Sequence, residues 1–245
     1  MLGQVLAANE YLRQRVAPSL RDPDYLSLTD LRRAVEEFSR AARGRLFDFG
    51  CGGAPYRPLF TGCTEYVRAD VTPGPEIDRV LPAGGGTGEP DAAYDVALST
   101  QVLEHVAAPD EYVRECFRIL RPGGQLFLTT HGMFQEHGCP HDYQRWTARG
   151  LEEAVTRAGF RVVKSYKLNT EMRGAIQLWH HSVEHFRCSG RTVWQLLFGV
   201  ARRLHRRLGI PLWNWLGSRF PEQGLVPGDN PASVYTGVAV WARKP

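Results

Sequence analysis

Apolar residues recur at two periods along this 245-residue chain, and the change of period divides it into helices and strands. Residues 3–16 are weakly periodic and predict a first helix. Over residues 28–42, Leu28, Leu31, Val35 and Phe38 share one face and predict a second, with Thr29 or Ser27 placed to cap it. After Gly44 the helical spacing gives way to short apolar runs. Residues 45–49 predict a strand ending in glycines, residues 65–70 a strand ending in an acid, residues 77–81 a third and residues 94–99 a fourth. Pro109 suits the first turn of a helix whose buried stripe is Val113, Cys116, Phe117 and Leu120. Arg121-Pro122-Gly123-Gly124 ends that helix, and residues 125–130 predict a fifth strand. Thr147 caps the next helix, with Trp146 and Leu151 placed as a hydrophobic staple. That helix ends at Gly159, and residues 160–166 predict a sixth strand. Residues 171–220 read as mostly helical, and residues 233–243 alternate as a last strand. Strands alternating with helices predict a parallel sheet covered on both faces. In such a sheet ligands bind beyond the carboxyl ends of the strands.

Composition narrows the class without choosing a function. With 43% hydrophobic and 23% charged residues the chain is ordinary globular material, and its length fits one domain with an embellishment. The segment 73–90, with Gly84-Gly85-Gly86, reads as a loop and not a domain linker. The net charge of +4 comes from 27 arginines and three lysines. Arginine-rich usage reflects base composition here, and no nucleic-acid partner is expected. Cys51, Cys63, Cys116, Cys139 and Cys188 form no CxxC pair and no zinc spacing, which suits a reducing cytoplasm. Residues 1–19 lack the pattern of a signal peptide, and no apolar run approaches the ~18–20 residues of a membrane span. A cytoplasmic location is expected.

The turn after the first strand, Asp48-Phe49-Gly50-Cys51-Gly52-Gly53-Ala54-Pro55, carries the chemistry. Glycines let the backbone approach a ligand, and a helix starting at Ala54 or Pro55 would offer N–H groups to an anion. Pro55 stands where a dinucleotide-binding turn wants its third glycine, which disfavours a nicotinamide-dependent oxidoreductase. Asp48 is awkward beside a pyrophosphate and suits an ammonium group. Asp70, about twenty residues on, is placed to accept hydrogen bonds from ribose hydroxyls. A turn for an amino acid followed by an acid for a ribose describes S-adenosylmethionine.

The motifs here resemble those of class I S-adenosylmethionine-dependent methyltransferases, in the ubiquinone/menaquinone-type branch. Leu46-Phe47-Asp48-Phe49-Gly50-Cys51-Gly52 is similar to the family's first motif. Tyr94-Asp95-Val96 with Gln101-Val102-Leu103-Glu104-His105-Val106 is similar to its fourth-strand segment, and Arg118-Ile119-Leu120-Arg121-Pro122-Gly123-Gly124 to the segment before its fifth strand. The resemblance covers roughly residues 44–168 and implies an α/β, Rossmann-like seven-stranded sheet with the last strand antiparallel, a helical N-terminal segment and a helical insertion before the last strand. It implies that Asp48, Gly50, Cys51 and Gly52 hold the methionine end of the cofactor and Asp70, with Val71, the ribose. Ser99, Thr100 and Gln101 lie where the fourth strand meets the cofactor. Tyr56 and His105 are placed near cofactor or acceptor, with helix packing as the other reading of each. The product would be S-adenosylhomocysteine.

The sulfonium already activates the methyl group, so the protein needs alignment and, for some acceptors, a base. Histidine is the usual one near neutral pH. His131, His137 and His141 follow the fifth strand, and the segment 137–147 resembles an H-x-x-P-x-D-Y-x-R-aromatic-T pattern of this branch. One reading makes His137 or His131 the base, with Asp142 orienting a partner. The other makes the loop architectural, with Asp142 paired to Arg145 and Tyr143 and Trp146 packed. No metal is assigned. His180, His181 and His185 with Glu184 read as substrate contact or helix surface.

The domain reading is a single methyltransferase domain over 1–245: a helical cap over 1–43, a cofactor-binding core over 44–169, a helical insertion serving as acceptor lid over 170–232, and a final strand over 233–245. In the insertion, Val193, Leu196, Leu197, Val200, Ala201 and Leu204 form an apolar stripe beside Arg202, Arg203, Arg206 and Arg207. It reads as a lid or dimer face, or as a basic amphipathic surface for transient membrane contact. The expected reaction is methyl transfer to a small molecule or sugar-containing intermediate, first at oxygen. The alternatives are a lipid-linked or polysaccharide glycan as acceptor, and a non-catalytic cofactor-binding regulator. Either a monomer or a homodimer is compatible with the sequence.

Overall fold

The computed structural model describes residues 10–82, 86–138, 141–186 and 192–245. The expected helix over 3–16 is therefore seen only as α1, residues 10–16. After it come α2 (Tyr25–Ser39), β1 (Gly44–Phe49), β2 (Cys63–Asp70), β3 (Arg79–Val80), β4 (Tyr94–Thr100) and α3 (Pro109–Ile119). The second half contains β5 (Leu120–His131), α4 (Ala148–Arg157), β6 (Arg161–Thr170), α5 (Glu171–His185), α6 (Thr192–Leu204), a π-helical turn His205–Gly209, α7 (Ile210–Gly217), β7 (Leu225–Pro227) and β8 (Tyr235–Arg243).

The strands form one sheet in the order β3-β2-β1-β4-β5-β8-β6-β7. β1 is parallel to β2 and β4, and β4 to β5, while β8 runs antiparallel between β5 and β6. The expected α/β sheet with an antiparallel last strand is what forms. Among the described residues it has eight strands and not seven, because Leu225–Pro227 pairs with the outer edge of β6. Three residues closed by a proline carry too little periodicity to announce a strand, and an edge is where proline is tolerated.

Alternation along the central strands divides the core in two. Leu46, Val96, Leu98, Phe127 and Ala239 meet α2 on one face, where the Phe38 ring stacks on Phe127 with centroids 4.7 Å apart. Phe47, Phe49, Ala97, Leu126, Leu128 and Val240 meet α3 and α4 on the other, through Tyr112, Val113, Cys116, Leu151 and Val155. Burial on both faces is what a parallel sheet requires. It also leaves the carboxyl edge as the place where polar side chains gather.

Several boundaries differ from the sequence reading. α2 begins at Tyr25, so Ser27 and Thr29 lie inside it and bond back to Asp24 and Tyr25 carbonyls; neither is a cap. No α-helix starts at Ala54 or Pro55; a single 3-10 turn, Arg57–Leu59, follows. Pro58 removes a helical donor there, and only a few residues separate the turn from β2. β3 is two residues long, β5 already begins at Leu120, and β6 extends to Thr170. Pro109 does open α3, and Thr147 Oγ1 does cap α4, accepting from Gly150 N at 3.0 Å.

Candidate functional site

The carboxyl ends of β1, β2, β4 and β5 make one continuous edge. The register sets Phe49 beside Ala69 and Ser99, and Ser99 beside Leu128. With strands about 4.8 Å apart, the glycine turn and the end of β5 are roughly 10 Å from one another across β4.

On the β1 side, Gly50 and Gly52 have left-handed backbone angles of +60° and +52°. A side chain at Gly50 would lie 2.6 Å from Val102 Cγ2, so this glycine is required twice over. Gly52 N donates to Asp70 Oδ2 at 2.9 Å, and Thr72 N donates to Asp70 Oδ1 at 2.9 Å. The β2 acid thus orders the turn that faces it. Cys51 is buried and its N–H donates to the Ala69 carbonyl. Val71 is exposed beyond the strand end. Tyr11 and Leu12 of α1 lie against Gly52 and Gly53, so the N-terminal helix covers the turn.

Asp48 is 3% exposed and accepts from the Tyr66 hydroxyl at 2.6 Å through Oδ2. Among the described residues its Oδ1 is buried without a hydrogen bond. Burial pushes this carboxyl up to about 7, partly offset by Tyr66. An unpartnered buried carboxylate oxygen is costly, and a cation brought by a ligand would satisfy it. Tyr56 sits in the core beside Phe60 and α2, its hydroxyl likewise without a partner. Ser99 is buried with its hydroxyl 2.8 Å from that of Tyr112, so its side chain is already engaged.

At the end of β4 the chain turns on Gln101, a non-glycine residue at φ +56°. Its backbone N–H donates to Thr129 O at 3.0 Å, and its side-chain Oε1 is buried without a partner. Strain of this kind is kept where a surrounding structure imposes it. The turn delivers Leu103–His105 as a 3-10 helix with Glu104 completely buried. Thr130 Oγ1 donates to Glu104 Oε2 at 2.8 Å, whereas Oε1 has no hydrogen bond and lies 3.3 Å from His131 Nε2 and 3.9 Å from His105 Nε2. Burial raises the Glu104 carboxyl above its ordinary value. Burial, and then the neighbouring His137 ring, depress His131 to about 3.

The segment 141–147 is clamped over these strand ends. Tyr143 N donates to Glu104 O and Trp146 N to His131 O. Arg145 grips both oxygens of Asp142 and also bonds the Phe134 and Gln135 carbonyls, which holds the Asp142 carboxyl well below its usual range. Asp142 Oδ2 accepts from His137 N at 2.9 Å and lies 3.2 Å from His137 Nδ1. The ion pair of the architectural reading is present and Trp146 packs on the core, while Tyr143 is exposed. The His131, His137 and His105 rings come together, with centroids 5.1 Å apart for His131–His137 and 4.9 Å for His105–His137. The His141 ring does not join them: it is exposed, and only its carbonyl reaches the cluster, accepting from His105 Nδ1 at 2.6 Å. Cys139 and Pro140 lie outside the described residues.

Beside the rings is an open cleft of ≈ 580 Å³, lined on one side by Gly132, Met133, Phe134 and Gln135 and on the other by α5 residues including Leu178, His181 and His185. Phe134 stacks on His131 at 4.1 Å and meets His181 edge-on at 4.8 Å. His180 and His181 face inward and not to solvent: His181 Nε2 is 2.9 Å from Asp24 Oδ1, and His180 contacts His205 and Asn214. Sequence reasoning placed Glu104 beside His105 and missed its approach to His131. The adjacency of β4 and β5 in a parallel sheet was the signal available for it.

A sheet of this order, with a glycine turn after β1 and an acid ending β2, defines a class I methyltransferase fold. The methyltransferase-domain family matches residues 24–165. Ubiquinone biosynthesis O-methyltransferase of Sinorhizobium medicae is 31% identical over 119 residues, 40% of this chain and 48% of that one. A probable S-adenosylmethionine-dependent methyltransferase of Mycolicibacterium smegmatis is 49% identical over 103 residues, 40% of this chain and 37% of that one. The chain spans about half the length of the curated relatives it matches. In fold it is similar to the [4+2]-cyclase SpnF, with a TM-score of 0.58 at 19% identity over 100% of this chain and 95% of that one. It is also similar to the Burkholderia thailandensis 1,6-didemethyltoxoflavin-N1-methyltransferase solved with S-adenosylhomocysteine, with a TM-score of 0.52 at 16% identity over 87% and 78%. The chain belongs to the methyltransferase-domain family, of the class I S-adenosylmethionine-dependent type.

Proposed function

We propose that the chain transfers the methyl group of S-adenosylmethionine to an oxygen of a small-molecule acceptor seated in the cleft between the β5 end and α5. The observation that carries this reading is the buried, unpartnered Oδ1 of Asp48 beside the Gly50–Gly52 turn. It is a buried acceptor that a cation would complete, at the point where the resemblance to the family puts an amino-acid ammonium. In this reading Asp48 and the turn take the methionine end and Asp70 the ribose, already oriented by two backbone N–H groups. When bound, the sulfonium supplies an activated methyl carbon, whose bond to sulfur breaks as the bond to the acceptor oxygen forms. The rest of the site orients the acceptor and takes its proton. His131, backed by Glu104, and His137, backed by Asp142, are the residues at the acceptor edge for that step.

Titration of the full chain with S-adenosylhomocysteine, beside an Asp70→Ala variant, tests the cofactor assignment. Tight binding by the wild type and at least tenfold weaker binding by the folded variant is the expected result. Equal binding by the two would remove Asp70 from the cofactor site, and no binding by the folded wild type would remove the reading.

A second reading, methyl transfer to a lipid-linked acceptor, is favoured by one feature. Trp194, Leu196, Leu197, Leu204, Leu208 and Trp213 of α6, the π turn and α7 are exposed, and residues 192–220 contain five arginines and no acid. Among the described residues no helix is long and apolar enough to cross a membrane, so such contact would be with a surface.

A further inference from the structure

The polar groups at the ends of β4 and β5 are arranged in a way that proton transfer alone does not require. Glu104 Oε1 is sealed from solvent and receives no hydrogen bond among the described residues, although Oε2 of the same carboxylate is satisfied by Thr130. A buried carboxylate oxygen left without a donor costs free energy unless a positive partner meets it. His131 and His105 each bring Nε2 toward it, and His137 stands beside them with its Nδ1 committed. His137 Nδ1 faces two acceptors, Asp142 Oδ2 at 3.2 Å and Gln135 O at 3.4 Å. Facing acceptors, Nδ1 keeps the proton and Nε2 carries the lone pair. The His131 Nε2 stands 3.3 Å from Glu104 Oε1. One ligand atom from each of Glu104, His131 and His137 lies within 4.8 Å of the others. His105 repeats the pattern at the margin: its Nδ1 donates to the His141 carbonyl at 2.6 Å, which leaves Nε2, 3.9 Å from Glu104 Oε1, with the lone pair.

Lone pairs and a carboxylate converging on one point repel one another unless a cation lies between them. A carbonyl or carboxylate on the far ring nitrogen is the arrangement that metal-ligating histidines adopt. Arg145, the nearest fixed positive charge, is already neutralised by its two-point grip on Asp142. We infer that Glu104, His131 and His137 form a binding site for one divalent first-row transition-metal ion at the acceptor edge, with Asp142 orienting His137 and His105 at hand as a further ligand. Two imidazoles and one carboxylate suit Zn²⁺, Co²⁺, Mn²⁺ or Fe²⁺ and not Mg²⁺ or Ca²⁺. The 3.3 Å between Glu104 Oε1 and His131 Nε2 fits two ligands each about 2.0–2.2 Å from one ion. The inference rests on the proposed methyl transfer only for its use. A cation there would hold the acceptor by its hydroxyl oxygen and lower that hydroxyl's pKa, so the three side chains would assist the proposed loss of the acceptor proton through the ion.

The test needs no acceptor. The full chain, stripped with a chelator, is titrated with Co²⁺, whose visible d–d absorption reports nitrogen and oxygen ligation, and with Zn²⁺ by calorimetry. Glu104→Gln, His137→Ala and Asp142→Asn are treated alike, and every protein is also titrated with S-adenosylhomocysteine. Expected are about one ion per wild-type chain, at least tenfold weaker binding in Glu104→Gln and His137→Ala, and roughly 10–100-fold weaker binding in Asp142→Asn. S-adenosylhomocysteine affinity should stay within about threefold throughout. Lack of saturable metal binding by the wild type, or equal binding by wild type and His137→Ala, overturns the site; the second places the metal elsewhere, and the first leaves Glu104 and His131 as a proton-sharing pair. His137 lies in a half-exposed loop, so that variant is expected to fold even where Glu104→Gln does not. Metal binding without S-adenosylhomocysteine binding overturns the methyl-transfer reading and leaves the metal site standing; the reverse overturns the metal site alone.

Discussion

Asp48 shows how one buried carboxyl links stability to ligand binding. Its only hydrogen bond among the described residues is from Tyr66, and burial lifts its folded-state value to about 7 from an ordinary 3.8. A carboxyl raised in the folded state favours folding while protonated, so the free protein loses stability as pH climbs from about 4 to 7. Binding an ammonium needs the ionised form. S-adenosylhomocysteine affinity is therefore expected to rise with pH, by up to about tenfold per unit below 7, and then level off. Asp48→Asn keeps the shape without the charge. Between pH 5 and 8 it should lose the part of the wild-type pH dependence of stability and of affinity that Asp48 supplies, with affinity at the upper end roughly ten- to a hundredfold below wild type, the usual size of one charge-assisted hydrogen bond. Calorimetric titrations and thermal melts across that range check both halves. A wild-type affinity that does not move with pH would show that Asp48 does not meet the ammonium.

At the scale of elements, the site depends on how closely the ends of β1 and β4 approach. Gly50 packs on Val102 with no room for a methyl group, at a backbone angle that disfavours one. Gly50→Ala combines a left-handed alanine with a steric overlap, about 2–3 kcal/mol in all. For a chain of this length that lowers the melting temperature by about 4–10 °C. Val102→Ala in the same background should return the steric part and leave the conformational part, which differential scanning calorimetry of the two variants separates. The glycine turn and the acids around it were legible in the sequence because each sits within a few residues of its own strand end. The helix expected after the turn was not, because Pro58 removes a helical donor and only a few residues separate the turn from β2. The approach of Glu104 to His131 was also hidden. The two residues are 27 positions apart and meet because β4 and β5 are neighbours whose ends are folded over by the 141–147 clamp. The histidine pattern gave the clamp's composition, but only the backbone shows that His141 faces away while its carbonyl orients His105.

For the whole molecule, the feature unlike an ordinary globular surface is the run from α6 to α7. Val193, Leu197, Val200 and Leu204 follow helical spacing on one face, and all four are exposed. Leu196 and Leu208 are each 66% exposed, and Trp194 is 51% exposed. An exposed apolar stripe of this extent normally has a partner. Arg206 is paired with Glu184, but pairing two copies through the stripe would still bring the like charges of Arg202, Arg203 and Arg207 together, whereas an anionic lipid surface offers apolar depth to the stripe and phosphates to those arginines. The cleft beside His131 is lined on its far side by α5, which precedes this stripe directly in sequence. A surface-bound molecule would thus hold that cleft near the membrane, as the proposed lipid-linked acceptor requires. The full chain is expected to co-sediment with phosphatidylglycerol vesicles and much less with phosphatidylcholine vesicles, and added salt should weaken the binding. Leu196→Glu combined with Leu197→Glu should reduce it at least tenfold with S-adenosylhomocysteine affinity unchanged. Equal co-sedimentation of the variant would discard the stripe as the contact. A wild type that ignores both vesicles but sediments as a dimer would assign the stripe to a second copy, and the acceptor would then be sought among water-soluble molecules.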